Sequence, residues 1–174
     1  MKKTILILVL ILNIGCKDKK VENQFQKEML QKELKYNGVT VHHKKLGDIH
    51  IKGKKTLKYQ AYLKGKLKKE TLFIDIEKIF PISTKKNKTY YIAPYAIFSE
   101  THNTYWEIGL FSYNKRKEEN EHIKSITLGD KIKIYNSSFE KLSNNKIKIF
   151  YGKYGKHQKI SEEPDEFTSF IWEI

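Results

Sequence analysis

The six histidines are the residues of this chain best suited to metal or acid–base chemistry, and they stand at positions 42, 43, 50, 102, 122 and 157. Neutral histidine is the commonest protein metal ligand, and its charge changes near neutral pH. Residues 39–51 read as a hairpin. On its outer face, His42, Asp48 and His50 would form a conceivable two-histidine, one-carboxylate metal site. The spacing carries no ligand signature, and exposed strand histidines are commoner than ligands, so we assign no metal and no cofactor.

Nucleophilic catalysis finds no support in the serine and cysteine residues. No serine stands in the Gly-x-Ser-x-Gly turn that exposes a nucleophile, and the only cysteine, Cys16, lies behind an N-terminal apolar run. Glu100 and Glu107 could supply a carboxylate pair for glycoside cleavage, but nearly every protein offers such a pair. We therefore assign no catalytic residue, and the sequence favours a protein that is not an enzyme.

A segment near the C-terminus carries two tyrosines between lysines and reads Tyr151-Gly152-Lys153-Tyr154-Gly155-Lys156. Gly-rich loops that bind phosphate are followed by a helix, and no helix pattern follows this one. The segment is typical of a turn, on which exposed Tyr151 and Tyr154 would suit stacking on a sugar or a base.

The first fifteen residues have the pattern of a secretory signal. Lys2 and Lys3 precede an apolar run that extends from Thr4 to Leu12, and Gly15 stands directly before the cysteine. A charged start, an apolar centre and a small residue at the cut are typical of a cleaved signal peptide. The run is shorter than the roughly 20 residues that cross a bilayer. The sequence therefore predicts export rather than a membrane-spanning helix.

Residues 12–16, Leu-Asn-Ile-Gly-Cys, resemble a bacterial lipobox, with Asn13 where Leu, Val or Ile is usual. The resemblance implies that Cys16 is acylated and becomes the first mature residue. It implies a lipoprotein signal peptide over residues 1–15, a lipidated tether over residues 16–21 and two or three acyl chains, palmitate among them. One chain would bind a membrane only marginally. Ordinary secretion is the alternative, although it would leave an unpaired thiol in an oxidising compartment.

The residues after the cysteine bear on which membrane holds the protein. In similar Gram-negative lipoproteins, an aspartate directly after the cysteine retains the protein at the inner membrane. Here Lys17 takes that position and Asp18 comes second. The resemblance therefore implies a cell-envelope location that favours the outer membrane over the inner one. Whether the protein faces the periplasm or the cell surface stays open.

The charge is strongly positive and unevenly distributed, with a formal net charge of +14. Ten lysines lie between positions 44 and 69 against the single acid Asp48, whereas five acids and no lysine follow Lys159. Such asymmetry suits an anionic envelope component or an acidic protein, although lysine-rich coding alone would also produce it. Arg116 is the only arginine. Because arginine dominates bidentate recognition of phosphate and guanine, sequence-specific nucleic-acid binding is disfavoured.

One helix is predicted at the start of the mature chain. From Glu22 to Tyr36, apolar residues recur at helical spacing, at positions 25, 29, 30 and 34. Asn37-Gly38 is a natural C-terminal stop. We expect this helix to pack on a sheet; the alternative is a helix that lies on the membrane surface near the anchor.

After Gly38 the apolar period changes to two, which predicts strands, mostly with one wet face. The candidates are residues 39–41, 49–51, 57–63, 72–76, 89–98, 105–113, 132–134, 147–151 and 168–174. Residues 89–98 are apolar on both faces, which indicates a central strand, whereas Pro94 in their middle favours an edge strand or a bulge instead. Residues 115–121 are expected to form a charged loop. Residues 136–145 are expected to form a polar connection with a helical turn around 139–142.

The predicted fold is therefore mainly β, an antiparallel sandwich or barrel-like sheet of about eight strands with one N-terminal helix, in a single domain over residues 22–174. The sequence favours a non-enzymatic envelope lipoprotein that binds or protects, for example an immunity-type partner of an acidic toxin. Two alternatives stay open. A hydrolase of envelope polymers needs a cleft with convergent titratable groups, and a barrel carrier of a small hydrophobic ligand needs an unfilled interior. The oligomeric state is open as well.

Overall fold

The structure, a computed structural model, describes residues 22–52, 62–67, 70–99 and 104–174. The predicted signal peptide and tether, Cys16 and most of the strand predicted over residues 57–63 lie outside the described residues. Residues 22–37 form a helix, α1, and a short 3₁₀ turn covers Ile76–Lys78. The strands are β1 Val39–His43, β2 Gly47–Ile51, β3 Tyr62–Leu67, β4 Glu70–Asp75, β5 Phe80–Lys85, β6 Lys88–Phe98, β7 Thr104–Asn114, β8 Glu119–Gly129, β9 Ile132–Lys133, β10 Phe139–Ser143, β11 Lys146–Lys153 and β12 Glu166–Glu173. The predicted mainly β fold with one N-terminal helix is confirmed.

The first eight strands form one barrel-like sheet. Its order is β2-β1-β8-β7-β6-β4-β3, and β5 pairs with a second stretch of β6. All its pairs are antiparallel except β1 with β8, which run parallel at Thr40 and Glu121. The sheet is nearly closed because β3 returns to β2: a Cβ atom on Gly65 would lie only 2.8 Å from Ile51 Cγ1 and 3.0 Å from Ile49 Cγ2.

Strand β6 is central, so the edge or bulge expected from Pro94 is not found. On one side β6 pairs with β7 along its whole length, and Pro94 lies opposite Ile108. On the other side, pairing with β5 ends at Ile92 and pairing with β4 begins at Tyr95. Pro94 is tolerated in a central strand because it lies in the gap between two successive neighbours.

Helix α1 packs one face against the inner face of the barrel-like sheet. It ends where predicted: Gly38 has a φ of 66° and its N–H donates to the Leu34 carbonyl at 2.9 Å. Leu30 and Leu34 are fully buried in the same core as the inner faces of the strands, whereas Phe25 is 67% exposed. The predicted packing of the helix on a sheet is therefore correct for its second half. Among the described residues, no helix has the combined length and apolarity that crossing a membrane requires.

The remaining strands form a second sheet, in which β11 lies between β10 and β12 and also pairs with β9. This sheet covers the outer face of β6 and β7, where Ile108 and Leu110 pack with Ile147, Ile149 and Trp172. Strands β6 and β7 are therefore buried on both faces, which explains why their sequences are apolar at nearly every position.

Two local predictions are wrong. The helical turn expected around residues 139–142 is strand β10, because Phe139 is buried and the segment pairs with β11. The charged loop expected over residues 115–121 ends at Glu118, where the eleven-residue strand β8 follows. Strand β8 lacks a regular apolar alternation because several of its polar side chains point into a cleft.

Candidate functional site

A cleft of about 920 Å³ opens between the β1–β2 turn, the adjoining ends of β6 and β7, and the middle of β8. We call it the barrel cleft. Its walls are apolar, and its floor is a cluster of hydrogen-bonded polar side chains. The lining side chains used below are His42, His43, Lys44, Lys45, Leu46, Tyr105, Glu107, His122, Ile123, Ser125 and Thr127.

The register of β6, β7 and β8 brings together the side chains at the centre of the cleft floor. Tyr95 on β6 lies opposite Glu107 on β7, and Glu107 lies opposite Thr127 on β8. The buried Glu107 carboxylate accepts hydrogen bonds from the Tyr95 hydroxyl, from Thr127 Oγ1 at 3.0 Å and from His43 Nε2 at 3.2 Å. Buried carboxyl oxygens are costly without hydrogen-bond donors, and these three bonds supply them.

A chain of hydrogen bonds continues from Tyr95 to β8. Its hydroxyl lies 2.6 Å from Ser125 Oγ, which in turn lies 2.6 Å from His122 Nε2. His122 Nδ1 accepts the backbone N–H of His42 at 3.2 Å. Since Nδ1 is an acceptor, the hydrogen of neutral His122 is on Nε2 and points to Ser125. The donors therefore run in one direction, from His122 through Ser125 and Tyr95 to Glu107.

The pKa values of His122 and Tyr95 agree with this direction. Burial, followed by the nearby His42, lowers the pKa of His122 to about 4, so the imidazole is neutral at neutral pH. Burial and the hydrogen bond to Glu107 raise the pKa of Tyr95 far above its ordinary value, so its hydroxyl keeps the hydrogen. Both groups thus hold the forms that the hydrogen-bond chain requires.

His43 connects the floor of the cleft to its rim. Its Nε2 donates to Glu107, and its Nδ1 accepts the backbone N–H groups of Lys45 at 3.3 Å and Leu46 at 3.1 Å. The imidazole therefore fastens the β1–β2 turn, which carries Lys44 and Lys45, to the buried carboxylate. The exposed rings and chains of Tyr105 and Ile123 lie in the same cleft.

The contact between Ser125 and His122 does not form a catalytic nucleophile. A serine is activated when a histidine nitrogen accepts its proton and a third group accepts a hydrogen bond from the other nitrogen. Here the other nitrogen, His122 Nδ1, faces a backbone donor. Nε2 therefore donates to Ser125 rather than accepting from it, and the arrangement favours holding a fixed surface over attacking a substrate.

The residues considered for a metal site only partly come together. The hairpin is confirmed, and His42 Nδ1 lies 2.7 Å from Asp48 Oδ1 on its exposed face. His50 Nδ1 instead lies 2.8 Å from Thr40 Oγ1. In the part of the chain that the structure describes, no group of three or more His, Cys, Asp or Glu side chains is placed to hold a metal ion.

The other candidate residues have different outcomes. Glu107 lies at the centre of the cleft, whereas Glu100, its suggested catalytic partner, lies outside the described residues. The expectation of two exposed tyrosines is wrong for Tyr154, which is buried and donates to the Ile160 carbonyl at 3.0 Å. Tyr151 is half-buried against Phe170.

Tyr95, Ser125 and Thr127 are site residues that sequence reasoning missed. One signal in the sequence pointed to the site. Glu107 is a charged residue between Trp106 and the apolar run Ile108-Gly109-Leu110-Phe111. A carboxylate at such a position is buried only with hydrogen-bond donors around it. The partners themselves could not be identified, because they lie on neighbouring strands.

Comparisons with known proteins contribute no homology to this site. No protein-family model matches the chain, and neither a curated protein nor a solved structure matches it.

Proposed function

We propose that this protein is a non-enzymatic binding module of the bacterial cell envelope, held at the outer membrane by acylated Cys16. The observation that carries the proposal is the barrel cleft, whose polar floor groups are hydrogen-bonded to one another and whose rim carries lysines. Such a cleft offers a fixed surface with lysines at its rim and the carboxyl groups of Glu70 and Glu107 in its lining, rather than a reactive group. Its partner is an anionic envelope component or an acidic protein, and a protective, immunity-type role belongs to this class.

The composition of the cleft supports an acidic partner that also carries apolar groups. Lys44 and Lys45 line the same cleft as the exposed Tyr105 and Ile123. Exposed aromatic and aliphatic side chains that line one cleft are typical of interaction surfaces, where they act as anchors. Lysines at a rim increase the rate of association with an acidic partner more than they increase its final affinity.

Two alternative functions are less well supported. The cleft does bring together His43, Glu107 and His122, as a hydrolase would require, but their hydrogens are directed along the chain that ends at Glu107. A carrier of a small hydrophobic ligand would need room inside the barrel. The inward side chains of the strands instead pack with Leu30 and Leu34 of α1 in one hydrophobic core.

The cleft is tested with full-length protein in detergent micelles and a random copolymer of glutamate and tyrosine as the probe. Replacing both Lys44 and Lys45 by Gln should weaken binding about tenfold, because two charges in the same cleft as the anchors are lost. The matched control replaces Lys115 and Lys117 by Gln in the β7–β8 turn and should change binding less than threefold. Equal losses in the two double variants would mean that net charge alone attracts the probe, and the cleft assignment would then be wrong.

The anchor is tested in bacterial cells grown with an alkyne analogue of palmitate. The unaltered protein should carry the label and fractionate with the outer membrane, whereas Cys16→Ser should lose the label and keep its signal peptide. Asn13→Leu, which makes the lipobox regular, should be processed at least as well as the unaltered protein. A Cys16→Ser variant that is cut normally and still fractionates with membranes would exclude lipidation at this residue.

A further inference from the structure

A second recess lies on the outer face of the β9–β12 sheet, away from the barrel cleft. Its volume is about 480 Å³, and its walls include Tyr135, Phe150 and Phe167 together with the hydroxyls of Ser137 and Ser169. We call it the aromatic recess. The ring of Phe167 is 70% exposed, which is unusual for a phenylalanine on a sheet face. Exposed aromatic rings around a concavity are typical of a ligand-binding site or a protein interface.

The recess is built by contacts that hold its rings in place. The rings of Tyr135 and Phe167 have centroids 6.2 Å apart and planes tilted by 30°. The Tyr135 hydroxyl donates to Glu163 Oε2 at 3.1 Å, and Glu163 also accepts a hydrogen bond from Lys133. These two hydrogen bonds, that from Lys133 first, lower the pKa of Glu163, so the carboxylate stays ionised and keeps Tyr135 in position.

Gly152 on β11 allows Tyr135 to lie close to that strand. A Cβ atom on Gly152 would lie 2.5 Å from Pro164 Cγ and 3.0 Å from the Tyr135 hydroxyl. Only glycine therefore lets both groups lie against β11. The Tyr135 hydroxyl thus lies close to β11 at Gly152, in addition to its hydrogen bond to Glu163.

Two lysines place positive charge beside the rings. Lys148 Nζ lies 4.7 Å from the centroid of Phe150, and Lys133 Nζ lies 5.2 Å from the centroid of Tyr135. The lysine over Phe150 comes from the same strand, so its ammonium group stays close to the recess. Aromatic walls and serine hydroxyls therefore line one small concavity with the Lys148 ammonium group beside it, while the charge of Lys133 is paired with Glu163.

We propose that the aromatic recess binds a sugar ring of a carboxylated glycan. The C–H face of a pyranose is apolar and packs on aromatic rings, its hydroxyls can bond to Ser137 and Ser169, and a carboxylate matches the ammonium of Lys148. A recess of this size holds one or two sugar rings. Because it is on a different sheet from the barrel cleft, the proposal does not depend on what the cleft binds.

Calorimetric titration of the full-length protein in detergent micelles with oligogalacturonate tests the proposal. The fully methyl-esterified oligomer is the matched neutral ligand. Phe167→Ala should lower the affinity for the acid at least tenfold, and Lys148→Gln should lower it about fivefold without changing binding of the ester. Ile171→Ala is the control, because Ile171 is an exposed residue on the same face of β12 but outside the recess. It should stay within twofold of the unaltered protein.

Several results would overturn the proposal. One is that the unaltered protein does not bind the acid, or that Phe167→Ala binds it as tightly as the unaltered protein. Equal losses in Phe167→Ala and Ile171→Ala would place binding on the sheet face in general, and equal affinity for acid and ester would exclude a carboxylated ligand. A concentration-dependent dimer that Phe167→Ala abolishes, without glycan binding, would assign the recess to contact between two copies of the chain.

Discussion

The side chain of His122 hydrogen-bonds β1 to β8 in place of a backbone group. We call the junction of these two parallel strands the seam. The described pairing of these strands is limited to Thr40 and Glu121, and the next outward N–H on β1, that of His42, donates to the imidazole of His122. A protonated imidazole has no acceptor nitrogen. The seam therefore depends on the neutral form of His122, and the same side chain begins the hydrogen-bond chain that ends at Glu107.

The stability of the protein should consequently fall in mild acid through this one residue. His122 has a folded-state pKa of about 4, against an ordinary histidine pKa of 6.5, so between these values the unfolded chain binds a proton that the folded chain does not. The free energy of unfolding should decrease as the pH falls from 6.5 to 4. At about 1.4 kcal/mol per pH unit, the upper limit is about 3.5 kcal/mol.

The measurement is urea unfolding at several pH values for the unaltered protein, His122→Gln and His157→Gln. His122→Gln should be less stable at pH 7 by about 1–3 kcal/mol, because it leaves the His42 N–H with a poorer acceptor, and its stability should depend less on pH. His157 is exposed and far from the seam, so its replacement should leave the dependence as it was. An unchanged pH dependence in His122→Gln would contradict this account.

At the scale of elements, the approach of β3 to β2 closes the barrel. Gly65 makes it possible, because a Cβ atom there would lie 2.8 Å from Ile51 Cγ1 and 3.2 Å from the His50 carbonyl oxygen. The isoleucine is part of the buried core, and the carbonyl belongs to the backbone. Neither can move without disturbing the inner face of β2.

Gly65→Ala should therefore destabilise the protein by about 1–3 kcal/mol, the usual range for an overpacked core. Lys66→Ala, at the exposed neighbouring position of the same strand, is the control and should change stability by less than about 0.5 kcal/mol. Chemical unfolding followed by circular dichroism measures both. A Gly65→Ala variant as stable as the Lys66→Ala variant would mean that β2 and β3 are not in close contact.

At the scale of the whole molecule, β6 and β7 are common to two hydrophobic cores. The inner core contains Leu34 of α1, and the outer core contains both tryptophans, with Trp172 buried and Trp106 packed against it. The two cores lie on opposite faces of β6 and β7. We therefore expect that neither core unfolds without the other. The sequence prediction of a single domain leads to the same expectation.

Leu34→Ala tests this coupling because it alters only the inner core, while tryptophan fluorescence reports only on the outer one. The substitution should lower stability by about 2–5 kcal/mol, and the fluorescence and circular dichroism transitions should shift together. Phe25→Ala, on the exposed part of the same helix, should leave both nearly unchanged. A fluorescence transition that does not move in Leu34→Ala would show two units that unfold separately.

The fold was predictable from the sequence where the order of apolar and polar residues in a segment shows which of its side chains are buried. Helical spacing and the Asn37-Gly38 stop predicted α1, and strict alternation predicted the β1–β2 hairpin with its inner Val41 and outer His42. The predictions failed where the surroundings are supplied by distant segments. Pro94 is central because two strands share one side of β6, and Tyr154 is buried because the chain beyond it folds back.

The sequence by itself predicted the mainly β fold, helix α1, the inward face of the strands that alternate regularly and the excess of lysine, whereas the lipidation signal at Cys16 stays a prediction. Only the tertiary structure decided which residues meet. Tyr95, Glu107 and Thr127 form one row because of the register of β6, β7 and β8. Alternation within a strand specifies a face but not a partner, and hydrogen-bond register between strands is set by packing of the whole core. The candidate site is therefore a product of strand pairing, which no local pattern records.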